Sequence, residues 1–290
     1  MFTSEERERL RDGLVSAAKA DPRIIGAALA GSNAHGREDR WSDIDLALSL
    51  DADADHTEVV ADWTDRMYGG HGAVTHLDVW SKGTLFRVFL LAGTVQVDIA
   101  FWASADFGAT GPNFRLLFGT ANELPMTEPP ARADLIGWSW LYALHARSSI
   151  ARGRVWQAEY MVSGMRDQVL ALACLRYDVP ATQGRGMDDL PAEATAQITA
   201  AIVRSLDVDE LSRAFTAACQ ALLLEIGQVD AYLASHIAGT VRELAGTALA
   251  SASAQRSARC QTTLDSTGDQ IDRPAAGRGE SHSGTPQTPR

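Results

Sequence analysis

The spacing of apolar residues changes partway along the chain, from short runs and alternations before about residue 102 to a repeat of three or four beyond residue 131. The first pattern predicts strands. Ile24-Ile25-Gly26-Ala27-Ala28-Leu29-Ala30 is an apolar run of strand length bounded by Pro22 and Gly31. A second strand follows Asp43, and its alternation puts Asp43 and Asp45 on one face and Ile44, Leu46 and Leu48 on the other. Val74 to Trp80 alternates as a third strand. Leu85–Leu91 and Val95–Trp102 flank Ala92-Gly93-Thr94, a connection that suits a hairpin. Two helices accompany them. One starts at the capping-box sequence Thr3-Ser4-Glu5-Glu6, carries Leu10, Leu14, Ala17 and Ala18 as its apolar stripe and ends at Pro22; the other spans Thr57 to Tyr68.

From Ala103 to Pro130 glycines and prolines break any period, so residues 106–130 are predicted to be a loop or linker. Helical stripes follow: Leu135, Trp138, Leu141 and Tyr142; Met161, Met165, Val169 and Leu172; Leu211, Phe215, Leu222 and Ile226; Val229, Leu233, Ile237, Val241 and Leu244. From Ser251 the residues are mostly Ser, Thr, Gly, Gln, Arg and Pro, too polar to offset the entropy of ordering. The expected architecture is α+β: a mixed-sheet domain with flanking helices over residues 1–105, a helical bundle over 131–248, and a disordered tail over 249–290.

Composition narrows the partners. With 290 residues and a formal charge of −11, the chain has room for two domains and little attraction for a polyanion, which disfavours a DNA or RNA substrate. Cys174, Cys219 and Cys260 lack metal-ligand spacing and read as two core thiols and one in the tail, in a reducing compartment. The charged N-terminus and the lack of any membrane-length apolar run lead to the expectation of a soluble, cytoplasmic protein.

The chemistry gathers between Gly31 and Leu50, in GSNAHGREDRWSDIDLALSL. Two carboxylates side by side on a strand, Asp43 and Asp45, oppose each other's ionisation unless a cation sits between them, and a hard divalent ion such as Mg²⁺ is suited to oxygen ligands. Asp98, on the face of a later strand shared with Gln96 and Ala100, is placed to complete the set. Gly31-Ser32, then Asp43-x-Asp45, then a lone Asp98 resembles the polymerase-beta-type nucleotidyltransferase superfamily, in particular its small-molecule, antibiotic-adenylylating branch. The catalytic part of that resemblance covers roughly Ile24 to Trp102.

The resemblance implies transfer of a nucleoside monophosphate, AMP from ATP in the first instance, to a hydroxyl of a small acceptor such as an aminoglycoside or lincosamide, with release of pyrophosphate. It also implies Asp43, Asp45 and Asp98 as catalytic residues and ligands of one or two Mg²⁺ ions, and Gly31 and Ser32 as the phosphate-binding turn. Arg37 and Arg40 either screen the triphosphate or face solvent; His35 reads as an exposed turn residue. Arg87 is equally suited to phosphate and to a surface acid, and Asp51 to His56 reads as a solvated turn. On the second helix beyond residue 131, the one with the methionine stripe, Glu159, Ser163, Arg166 and Asp167 share the face opposite the methionines, which makes Glu159 and Asp167 candidates for acceptor binding or for a general base, the last role shared with Asp98. Two other readings stand beside this one: modification of a protein hydroxyl, as in toxin–antitoxin nucleotidyltransferases, and a nucleotide-binding protein without catalysis.

Overall fold

The computed structural model describes residues 2–31, 39 and 41–268. It divides into two compact units, Met1–Glu128 and Pro129–Arg290, and it is α+β, with a mixed sheet in the first and helices in the second.

In the first unit, α1 (Ser4–Ala20) begins with the expected capping box, in which Thr3 Oγ1 accepts from Glu6 N and Glu6 Oε2 accepts from Thr3 N. The strands β1 (Ile24–Ala30) and β2 (Ile44–Leu50) are followed by α2 (His56–Gly70), then β3 (Ala73–Ser81), β4 (Thr84–Leu91) and β5 (Gln96–Ala103). Asp55, in the acidic run read as a solvated turn, is the N-cap of α2 and accepts from Thr57 N and Glu58 N. Lys82 and Gly83, both at positive φ, close the two-residue turn between β3 and β4.

The segment predicted to be irregular is not wholly so. Short β6 (Gly108–Ala109) and β8 (Asn122–Glu123) pair with each other, and β7 (Phe114–Phe118) joins the main sheet beside β1. Phe-Arg-Leu-Leu-Phe has no clean alternation, and only its place beside β1 makes it a strand. The six strands lie in the order β3-β4-β5-β2-β1-β7, antiparallel except for β2 against β5.

Strand alternation gives this sheet two unlike faces. One carries Leu29, Leu46, Leu48, Val97, Ile99 and Phe89, buried with Leu14 of α1 and Trp63 and Met67 of α2, and these form the unit's main core. The other carries small residues in its central strands, Ala28, Ala47 and Ala100, covered in part by Phe107. Asp45 and Asp98 stand on that second face, at the end of the strands that Phe107 leaves uncovered.

The second unit contains α3 (Arg132–Ala151), α4 (Val155–Arg176), a 3₁₀ turn at Met187–Asp189, α5 (Ala192–Thr199), α6 (Val208–Val229) and α7 (Ala231–Gly268). Leu211, Phe215, Leu222 and Ile226 of α6 are buried as expected, together with Met165, Val169 and Leu172 of α4 and Val241 and Leu244 of α7. On α3 the expected stripe is rotated. Trp138 is 53% exposed, and the buried face is Leu135, Ile136, Ser139, Ala143, Ala146, Ser149 and Ile150. Small side chains let α3 approach its neighbours closely, and Ser139 Oγ donates to Leu135 O at 2.8 Å, which satisfies its buried hydroxyl. Close approach also explains Gly164 of α4, where any Cβ would press on the Tyr142 ring.

Cys174 and Cys219 are buried free thiols, and burial pushes Cys219 up to about 12. The α7 helix runs through 251, where composition had placed the end of order, and Ala252 is buried. The side chain of Cys260 and residues 269–290 lie outside the described residues.

Candidate functional site

Two strands position the carboxylates. Asp43 immediately precedes β2, Asp45 is the second residue of that strand, and Asp98 is the third of β5. Because β2 and β5 are parallel neighbours with Asp45 directly opposite Asp98, their side chains emerge side by side at one end of the sheet. One ligand oxygen from each of Asp43, Asp45 and Asp98 can be chosen so that all three lie within 4.8 Å of one another. Each residue is half-buried.

Crowding of this kind has an electrostatic signature. Loss of solvent raises Asp98, the amide of Gln96, donating from Nε2 to Asp98 Oδ1 at 3.0 Å, lowers it, and the neighbouring Asp43 raises it again; the outcome is an Asp98 pushed up to about 6. A site made only of carboxylate oxygens, one of which ionises reluctantly beside another, matches the needs of a hard divalent cation. Asp43, Asp45 and Asp98 therefore fit a bound Mg²⁺ or Mn²⁺ by donor type and by spacing.

Gly31 follows directly on β1 next to this cluster with φ of +63°, in the left-handed region. A Cβ at this position would land on the Asp45 carboxylate. Glycine is needed there twice, for its backbone angle and for its missing side chain. Ser32, His35, Arg37 and Arg40, the remaining expectations in this turn, lie outside the described residues.

Arg87 is settled against the site. It stands opposite Ile99 on the helix-covered face, not opposite Asp98, and its guanidinium grips both Asp78 oxygens at 2.6 and 2.7 Å and Thr64 Oγ1 at 2.6 Å. Glu159 and Asp167 belong to the second unit, on α4. Ser163 Oγ donates to Glu159 Oε1 at 2.7 Å, and Arg166 bridges Ser163 and Asp167, so the polar face is a connected chain of hydrogen bonds.

Two residues to which sequence reading gave no role take part. Gln96, placed on the face of Asp98 by alternation alone, is one. The other is Arg7, only 3% exposed, whose Nη1 donates to the carbonyl of Ser42 at 3.2 Å and so holds the residue before Asp43. A signal was present in the sequence: Arg7 falls seven residues before Leu14 and eleven before Ala18, on the buried stripe of α1. Asp39 tightens the same approach, its Oδ1 accepting from Trp41 N at 2.8 Å and from Ser42 Oγ at 3.1 Å.

Comparison with protein-family models gives no match, and comparison with curated proteins gives none. Among solved structures, the chain is similar to a crystal structure of an aminoglycoside 6-adenyltransferase from Bacillus subtilis, with a TM-score of 0.36 and 10% sequence identity, covering 84% of this chain and 99% of that one. So distant a likeness leaves the function to be read from the carboxylate cluster itself. No helix among the described residues is long and apolar enough to cross a membrane.

Proposed function

We propose that this protein is a metal-dependent nucleotidyltransferase that moves a nucleoside monophosphate, AMP from ATP in the first instance, onto a hydroxyl of a small acceptor and releases pyrophosphate. The observation that carries the reading is the cluster of Asp43, Asp45 and Asp98 on adjacent parallel strands beside a glycine turn whose backbone packs on Asp45.

Asp43, Asp45 and Asp98 would hold Mg²⁺, which when bound supplies charge neutralisation at the triphosphate and helps the attacking and leaving oxygens align about the phosphorus. The chain's own residues do the rest. The turn that opens at Gly31 brings backbone N–H groups to the phosphates, and Ser32 donates its hydroxyl to a β- or γ-phosphate oxygen. Arg37 and Arg40 offset the charge of the leaving pyrophosphate. Asp98, pushed up to about 6 by loss of solvent and by the neighbouring Asp43, takes the proton of the incoming hydroxyl. Arg7 keeps Ser42, and through it Asp43, in place. Glu159 and Asp167 contact the acceptor. A small hydroxylated compound of the aminoglycoside or lincosamide kind is the proposed class, in a soluble protein of the cytoplasm.

The test is acceptor-dependent pyrophosphate release with Mg²⁺ and each nucleoside triphosphate across a panel of hydroxyl-bearing aminoglycosides and lincosamides. Release that disappears in Asp43→Ala and Asp98→Ala supports the reading. Failure of the wild-type protein to bind any metal–nucleotide complex would overturn it.

A further inference from the structure

The edge of the sheet formed by β3 is built unlike a protected edge. β3 is bonded to β4 on one side and has no strand on the other among the described residues, so a row of backbone donors and acceptors faces outward. Such edges are commonly blunted by proline, by lysine, by shortness or by a central bulge. This strand is nine residues long, contains no Pro, Lys or Arg, and has its one irregularity at its start, between Ala73 and Thr75. It also exposes large apolar side chains: Val74 by 63%, Leu77 by 64%, Val79 by 43% and Trp80 by 67%.

We propose that a second copy of this chain covers that edge, the two β3 strands pairing antiparallel about Leu77 to join the two sheets into one. The sequence of β3 is complementary to itself in this register. Leu77 meets Leu77 of the second copy, Thr75 meets Val79, Val74 meets Trp80, and His76 meets Asp78, each of the last three twice. The faces agree as well. Leu77 stands in register with Val88 and Asp98, whereas Asp78 stands with Arg87 and Ile99 and Trp80 with Leu85 and Phe101, so the Leu77 and Thr75–Val79 pairs line the carboxylate face and the His76–Asp78 pairs, with Trp80, line the helix-covered face. Moving the centre to Asp78 would set two carboxylates against each other, and moving it to His76 would set Asp78 against Val74. Only the Leu77 register matches both charge and apolar surface.

The side chains leave room for the added bonds. Asp78 receives Arg87 on both oxygens, yet a carboxylate has about four acceptor positions. His76 Nδ1 is engaged by the Tyr68 hydroxyl at 2.9 Å, which leaves Nε2 for Asp78 of the second copy. The consequence for the molecule is geometric. Both carboxylate clusters would face the same side of a continuous sheet, their Asp98 residues five strand spacings or about 24 Å apart. This inference does not depend on the proposed chemistry.

Sedimentation of the full-length protein tests it. Wild type is expected at twice the 31.1 kDa of one chain, and Leu77→Lys, which places two ammonium groups at the two-fold centre, is expected to weaken association by about tenfold or more with unchanged circular dichroism. The register has its own readout. In a Cys260→Ser background, Leu77→Cys should form a disulfide-linked dimer on oxidation, because directly opposed strand residues lie within disulfide reach. Val79→Cys should not, its copies being offset along the strands by about 13 Å. A wild type that sediments as a monomer overturns the proposal, as does a dimer indifferent to Leu77→Lys. Equal cross-linking at Leu77→Cys and Val79→Cys also overturns it, and this arm decides the matter if the lysine variant misfolds.

Discussion

At Asp98 the demands of binding and of folding oppose each other. Its carboxyl holds a proton more tightly in the folded chain than in the unfolded one, so its contribution to stability is full below about pH 4 and is lost as pH rises through about 6. Metal-free Asp98→Asn is therefore expected to melt above the wild type at pH 8, by about 1 kcal/mol after allowance for its partial exposure, with the difference vanishing near pH 4 in parallel thermal scans. The same substitution should cut nucleotidyl transfer by about a hundredfold or more, because one oxygen ligand of the cation is lost. In the wild type, Mn²⁺ affinity measured by titration calorimetry should fall as pH drops through about 6, where protons begin to compete for Asp98. Gly31→Ala should abolish transfer: the left-handed backbone costs about 1 kcal/mol with a side chain, and the new methyl displaces the Asp45 carboxylate.

Among the elements, α1 and β4 make opposite predictions for two arginines. Arg7 on α1 is buried against Ser42 O, and Arg7→Ala leaves that carbonyl without its donor; a loss of about 1–3 kcal/mol in chemical denaturation, together with weaker metal binding, is expected. Arg87 on β4 sits on the helix-covered face and grips Asp78 and Thr64. Arg87→Ala should cost about 1 kcal/mol of stability and leave the KM for the nucleotide unchanged, a result that a phosphate contact would contradict. The second unit has a comparable device in the forked pair of Arg176 Nε and Nη2 with Glu225 Oε1 and Oε2 at 2.8 and 2.9 Å, which ties α4 to α6. Truncating Arg176 strands the buried Glu225, and a loss of about 3 kcal/mol is expected in thermal or urea unfolding.

For the whole molecule, the division at Glu128 separates the carboxylate cluster from the polar face of α4. All three carboxylates, Gly31 and the main core of the sheet lie within residues 1–128. Expressed alone, that piece is expected to unfold cooperatively on heating and to retain Mn²⁺ binding, yet to lose transfer to a small acceptor, since the proposed acceptor contacts, Glu159 and Asp167, are gone. Cooperative melting with no metal binding would show that the second unit is needed to shape the cation site. The charge of −11 works at the same scale, since a chain with that net charge repels a polyanion at long range.

What local physics dictates was legible in the sequence. Period-two alternation marked β2 to β5 and put Asp43 with Asp45, the capping box marked the start of α1, and the apolar stripe of α6 matched its buried face. Strand periodicity reports a face but says nothing about which strand will be the neighbour, so the parallel pairing that sets Asp45 opposite Asp98 was decided by the tertiary fold. The same is true of β7, a strand only because β1 presents an edge to it, and of α3, whose core face is made of alanines and serines that a search for large apolar residues overlooks. Arg87 shows the limit most plainly. Its residue type suited phosphate and carboxylate equally, and register alone, one position along β4, turned it to the face away from Asp98 and into the grip of Asp78.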